Sequence, residues 1–327
     1  MWHAASEKNG RLLTSNFPFF FDINLIKKLF VFVFCINLQS INISMKKISL
    51  ILFLLSLFSV CAFTQQTTDK KYSLITSTNN AALTLLSITD PYLSPISYSG
   101  IGVGFEHAER KYFNPENTDF SMQHKLNSLV GIALNPSFSA STTYVGGTYS
   151  WGSFYHYRKL LNLQILAGAT TDAQFGFKSN MRNVNNPINV DVAVNLNFAA
   201  SLRYDFELKN RKVRLIYELE TPLMGCMFVP LVGASYYEMF DLWNLRNTIH
   251  FSSLHNKLAY KSALVLEIPM RTSVFTVGFS SHSLKYGAND LVFKQNSFSL
   301  LLGYKINLYK FKGNDNAAPS NFISTEK

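Results

Sequence analysis

The sequence predicts an all-β protein: a transmembrane antiparallel up-and-down β-barrel of about 10–12 strands, preceded by a signal peptide. Three observations lead there. One long segment alternates strictly between apolar and polar residues. The pattern recurs in shorter runs separated by turn residues. An export-like stretch precedes them all.

The alternation is clearest from Asn189 to Lys209. Val190, Val192, Val194, Leu196, Phe198, Ala200, Leu202, Tyr204, Phe206 and Leu208 occupy one face. The other carries Asn189, Asp191, Ala193, Asn195, Asn197, Ala199, Ser201, Arg203, Asp205, Glu207 and Lys209. Successive side chains of a strand point to opposite faces, so one face is apolar and the other wet. The run is about twice the 9–11 residues a tilted strand needs to cross a bilayer.

Other runs repeat it. Val213, Leu215, Tyr217 and Leu219 alternate with Arg214, Ile216, Glu218 and Glu220, a hairpin partner across the Lys209-Asn210-Arg211 turn. Similar runs cover 258–268, 275–280 and 298–308, with weaker ones at 101–106, 126–135, 142–151 and 161–170. Turn signals such as Asn114-Pro115, Asn135-Pro136 and Asn185-Asn186-Pro187 separate them. Aromatics gather near run ends, as in Trp151, Phe154, Tyr155 and Tyr157, or Tyr236, Tyr237, Phe240 and Trp243. Such clusters suit the aromatic girdles of a membrane barrel.

Upstream, Met45-Lys46-Lys47 is followed by an apolar run from Ile48 to Val60, and then by small and polar residues. This is the layout of a signal peptide, with cleavage expected near Ala62–Gln65. Val60 fits poorly before a lipidated Cys61. Residues 1–44 read as a misplaced start rather than a domain. The expected organisation is therefore 1–44 extension, 45–64 signal peptide, 65–98 N-terminal periplasmic segment, 99–311 barrel and 312–327 polar tail.

Composition excludes several classes. The 327 residues are 47% hydrophobic, 14% aromatic and 15% charged, too apolar for a disordered chain. Mean hydropathy is only +0.07, too low for a bundle of membrane helices. Losing residues 1–64 removes Lys8, Arg11, Lys27, Lys28, Lys46 and Lys47 against Glu7 and Asp22, lowering the net charge from +10 to +6. No basic block remains to grip nucleic acid. Of Cys35, Cys61 and Cys226 only the last survives, so neither an internal disulfide nor a zinc cluster is expected.

The wet face supplies the candidate lumen-lining residues: Glu106, Asp191, Arg203, Asp205, Arg214, Glu218, Glu220, Lys261, Glu267 and Lys305. With both signs present, they are expected to pair across the interior and plug it; a small polar pore is the sharper alternative. No catalytic, cofactor or metal residue is assigned. Glu106-His107 and His282-Ser283 are neighbours on opposite faces. His250 and Ser252 share a face, as a chance pairing would. His156 reads as an interfacial residue, and the loop Arg182 to Pro187 as ordinary turn sequence.

The stretches Asp90-Pro91-Tyr92-Leu93-Ser94-Pro95 with Tyr98-Ser99-Gly100, Gly147-Thr148-Tyr149-Ser150-Trp151-Gly152, and Arg182-Asn183-Val184-Asn185-Asn186-Pro187 resemble an uncharacterised Bacteroidota family of secreted, outer-membrane β-barrel-like proteins. The resemblance implies location and fold, and carries no site residues. The expectation is a non-enzymatic outer-membrane barrel without cofactor, in contact with outer-membrane lipid and not with nucleic acid, serving a structural role or small-solute passage. A secreted or periplasmic β-sandwich binding protein is the alternative, and a barrel hydrolase acting on lipid a more remote one.

Overall fold

The computed structural model describes residues 72–208, 211–242, 245–270, 273–308 and 322–323. The expected extension, signal peptide and cleavage site lie outside them. So does the expected tail, apart from Phe322–Ile323.

In chain order the strands are β1 Tyr72–Ser73, β2 Ile75–Asp90, β3 Ser94–Tyr112, β4 Phe120–Leu134, β5 Ser141–Leu160, β6 Leu163–Ser179, β7 Ile188–Leu208 and β8 Arg211–Phe228. A five-residue helix, α1 (Tyr236–Phe240), is followed by β9 Ile249–Ser253, β10 Lys257–Pro269, β11 Val274–Ala288, β12 Leu291–Leu308 and β13 Phe322–Ile323. Ten strands, β2 to β8 and β10 to β12, form one antiparallel ring. Each pairs with the next in sequence, β12 pairs with β2, and β8 pairs with β10. Closure pairs backbone groups that an open sheet would leave bare at its two edges. β9 pairs only with the upper part of β8, and β1 pairs in parallel with β13.

The observed ring begins at Ile75, which corrects the expected N-terminal segment over 65–98. β2 escapes an alternation search because its inward residues change character along the strand. Thr76, Asn80 and Thr84 are buried and polar, whereas Leu86 and Ile88 are buried and apolar. Leu86 thus sits beside the outward Leu85, and the period of two is lost to the eye. The last described ring strand ends at Leu308.

Turns alternate between two mouths. At one, the loop mouth, β2–β3 turns on Asp90, whose carboxylate accepts from the Tyr92 and Leu93 amides, with Pro91 placed to favour the turn. There too Asn289 and Asp290 (φ 53° and 60°) form the two-residue β11–β12 hairpin, a left-handed pair that short polar residues tolerate. The other, the turn mouth, holds the β3–β4, β5–β6, β7–β8 and β10–β11 connections, the start of β2 and the end of β12.

The outward face is apolar over a central belt. Leu83, Leu85, Ile101, Val103, Phe198, Leu202, Phe279, Phe298 and Leu302 are all exposed, Val103 by 64%. A soluble protein rarely exposes so continuous an apolar surface. Trp151, Tyr155 and Tyr157 also face outward, as a girdle would. Phe154 does not: it points inward, buried, under the Arg110 guanidinium at 5.0 Å. Tyr236 and Phe240 belong to the loop-mouth cap, where they stack on each other.

Candidate functional site

The inward face forms three tiers. In the middle, Lys125 on β4 lies 3.0 Å from Glu106 and 3.5 Å from Glu218. Glu106 also accepts from Asn80, and Glu220 accepts from Thr170 and Asn197. Next to these, Asp172 is 2% exposed and accepts from Asn195 at 2.6 Å, Asn197 at 2.9 Å and Lys261 at 3.3 Å. A carboxylate this buried is tolerable only with such saturation. Toward the turn mouth Lys305 contacts Glu267, Arg203 is buried, and Arg214 donates to Asp205 at 3.0 Å.

The third tier lies under the loop mouth. Lys178, 2% exposed at its side chain, bridges Asp191 at 2.7 Å and Asp90 at 3.1 Å. Asn189 donates to Asp90, and the Tyr286 hydroxyl to Asp191. Above it residues 229–242, carrying α1, and 245–248 fold over the opening. Val229, Met239, Tyr92, Leu93, Met227, Tyr286, Leu291 and Phe293 form one apolar cluster there. Three sets of hydrogen bonds pin this cap. The Tyr236 hydroxyl donates to Asn189 and accepts from the Val190 amide, both at 2.7 Å. The Tyr92 hydroxyl donates to the Ala234 carbonyl at 2.7 Å. Asn289 donates to the Val229, Pro230 and Asn247 carbonyls. A capping box between Ser235 and Glu238 starts α1. Burial, and next the Asp90 carboxylate, push the Tyr92 phenol up to about 12; burial likewise raises Tyr236.

Between the middle tier and the walls a cavity of about 190 Å³ remains, and a second of about 60 Å³, nearer the turn mouth, shares Glu106, Arg110, Lys125 and Glu218 with its lining. Glu106, Glu218, Glu220 and Lys261 line the larger; Arg203, Glu267 and Lys305 line the smaller. Asp191 lies in the loop-mouth tier, and Asp205 with Arg214 forms a cross-strand pair of its own. Sequence reasoning missed Arg110, Lys125, Lys178, Lys257, Asp90 and Asp172. The strands of Arg110, Lys125, Asp172 and Lys178 carry inward glycines (Gly104, Gly131, Gly176), and those of the last three carry outward serines or threonines (Ser128, Thr171), which blur the polarity contrast that marks a face.

The histidines are scattered. His107 and His124 bond Asn79 and Tyr149 respectively, and His255 bonds Ser253 in the β9–β10 turn. No hydrogen bond joins His250 to Ser252 among the described residues. His156 is buried rather than interfacial, with Nε2 2.7 Å from the Ser121 hydroxyl and Nδ1 3.1 Å from Arg158. Among the described residues no cluster of His, Cys, Asp or Glu is arranged to hold a metal ion. In the loop 182–187, Asn183 donates to the Leu93 carbonyl and Arg182 to Ser139, tying it to neighbouring loops.

A family model described as "Protein of unknown function (DUF3316)" matches residues 50–315. The chain belongs to that DUF3316 family. A comparison with curated proteins finds no match. Among solved structures, this DUF3316 chain is similar to the outer membrane protease OmpT from Escherichia coli, at 8% identity and a TM-score of 0.38, covering 75% of this chain and 99% of that one. It is similar to the transport unit of the autotransporter AIDA-I from Escherichia coli (8% identity, TM-score 0.36, 79% and 97% covered). It is also similar to Ail, the attachment invasion locus protein of Yersinia pestis (9% identity, TM-score 0.31, 71% and 99% covered).

Proposed function

We propose that this chain is a non-enzymatic outer-membrane β-barrel, in direct contact with lipid, whose lumen is closed at rest. It acts as a structural body, or passes small solutes only when its cap moves. The observation that carries this reading is the pairing of a closed ten-strand ring with an outward apolar belt. In hydrocarbon every backbone N–H and C=O needs a partner, which a ring supplies and an open sheet does not. The Met45 to Gln65 pattern supports export by a signal peptide cleaved near Ala62–Gln65, and the resemblance noted above supports a Bacteroidota outer membrane.

Closure rests on two features: lysines held by carboxylates across the lumen, and the cap over the loop mouth. By analogy with membrane barrels generally, the short turns, the start of β2 and the end of β12 would face the periplasm and the capped mouth the exterior. Reconstitution in planar bilayers tests the closed lumen. Wild-type protein is expected to give no steady current; unitary conductance steps without any change to the cap would overturn it. Lipid hydrolysis by refolded protein, lost in His250→Ala or Ser121→Ala, would overturn the non-enzymatic reading.

A further inference from the structure

The larger lumen cavity is more than leftover space between ion pairs. Five side-chain atoms on its lining are buried without a hydrogen-bond partner: Arg110 Nη1, Asn127 Oδ1, Ser150 Oγ, Ser201 Oγ and His282 Nε2. Arg110, Ser150 and Ser201 are each more than nine-tenths buried. Buried polar groups are almost always satisfied, so a cluster of orphans around one void marks something polar that belongs there. The set mixes donors and acceptors, as an alcohol or sugar requires.

The void is also built into the backbone. Gly104, Gly146 and Gly152 line it, and a β-carbon at Gly104 would come 2.7 Å from the Ser128 carbonyl oxygen. At about 190 Å³ it exceeds the roughly 150 Å³ engineered cavity that takes up benzene in another protein, so one six-membered ring fits. Two of the cations nearby are held by carboxylates: Lys125 by Glu106 and Glu218, and Lys261 by Asp172. The charged lining balances, Glu106, Glu218 and Glu220 against Arg110, Lys125 and Lys261, so the site offers no net charge to a charged guest, and burying an uncompensated charge is prohibitive. An apolar guest would leave the five orphans unsatisfied. The smaller cavity shares Glu106, Arg110 and Lys125 with it and lies on its turn-mouth side.

We propose that the lumen cavity is a binding site for a small, uncharged, polyhydroxylated solute of about one sugar ring or less. The inference goes beyond the membrane reading and does not need the cap to open. Ligand-detected NMR on the folded full chain in detergent tests it, with glucose and glycerol as probes and glutamate and benzene as controls. Glucose or glycerol is expected to give a saturable signal. Ser201→Leu, which fills the void, should abolish it, and Ser150→Ala, which removes one hydroxyl without filling it, should weaken it by about tenfold. No saturable signal from either probe, a signal indifferent to both substitutions, or binding confined to glutamate or benzene would each overturn the proposal. If Ser201→Leu does not fold, Ser150→Ala alone decides. A negative result leaves only water in the cavity; sedimentation of the same sample with membranes reports the membrane reading separately.

Discussion

Lys178 and Asp191 meet 2.7 Å apart across the β6–β7 pair, almost wholly removed from solvent on the lysine side, with Asp90 3.1 Å from the same ammonium. One cation thus holds two carboxylates that come from the β2–β3 turn and from β7. Asn189 and Tyr236 extend the arrangement to the cap.

Removing that cation leaves two anions, Asp90 buried and Asp191 half-buried, without their counter-charge. Lys178→Met is expected to cost about 3–5 kcal/mol, the range for breaking a buried pair from one side. Urea unfolding of the detergent-folded protein measures it. The double variant Lys178→Met with Asp191→Asn should recover part of the loss, since one of the stranded charges is gone.

Tyr92 links the cap to the β2–β3 turn through the Ala234 carbonyl. Its raised pKa makes this link sensitive to alkali. The unfolded phenol ionises near 10 and the folded one near 12, so its contribution is complete below pH 10 and is lost as pH climbs from 10 to 12. Proteolysis of segment 229–248 should therefore accelerate across that window, alongside the tyrosinate absorbance. Tyr92→Phe should accelerate it at neutral pH, by the loss of one hydrogen bond worth about 1 kcal/mol.

The outward belt tolerates no charge at mid-height. Val103→Arg is expected to destabilise the lipid-folded barrel by about 2–4 kcal/mol, the cost of arginine at a bilayer midplane. The same change should matter far less in a water-soluble sheet, where Val103 is already 64% exposed. Unfolding titrations in lipid vesicles separate the two.

Loss of the cap should open the loop mouth. Deleting 231–246 and joining the ends with a short glycine linker is expected to turn a silent protein into one with measurable conductance in planar bilayers. The paired lumen charges still line the path and would keep that conductance small.

The architecture was legible where one strand kept a pure contrast between faces. On β7 every even residue from Val190 to Leu208 is apolar or aromatic, so Asp191, Arg203 and Asp205 could be placed inward without a structure. On β2 the inward set turns from Thr76 and Asn80 to Leu86 and Ile88, because the loop-mouth end of the lumen is filled by an apolar cluster. The strand therefore read as a segment outside the barrel. Lys125 and Lys178 escaped for a related reason. Their cross-lumen partners, Glu218 and Asp90, are distant in sequence, and their own strands mix glycine and hydroxyl residues on both faces. The cap was invisible because its aromatics, Tyr236 and Phe240, have the composition of a membrane girdle. Only the fold shows that they stack over the mouth.

The protein is a ring of strands that presents its apolar side outward. The most direct measurement is gel migration of the protein from purified outer membranes, with and without heating. The account predicts that the protein is recovered from that fraction only with detergent, and that the unheated sample runs as a compact, faster band which shifts on boiling. Recovery in detergent-free buffer as a monomer whose migration does not change on heating would contradict it.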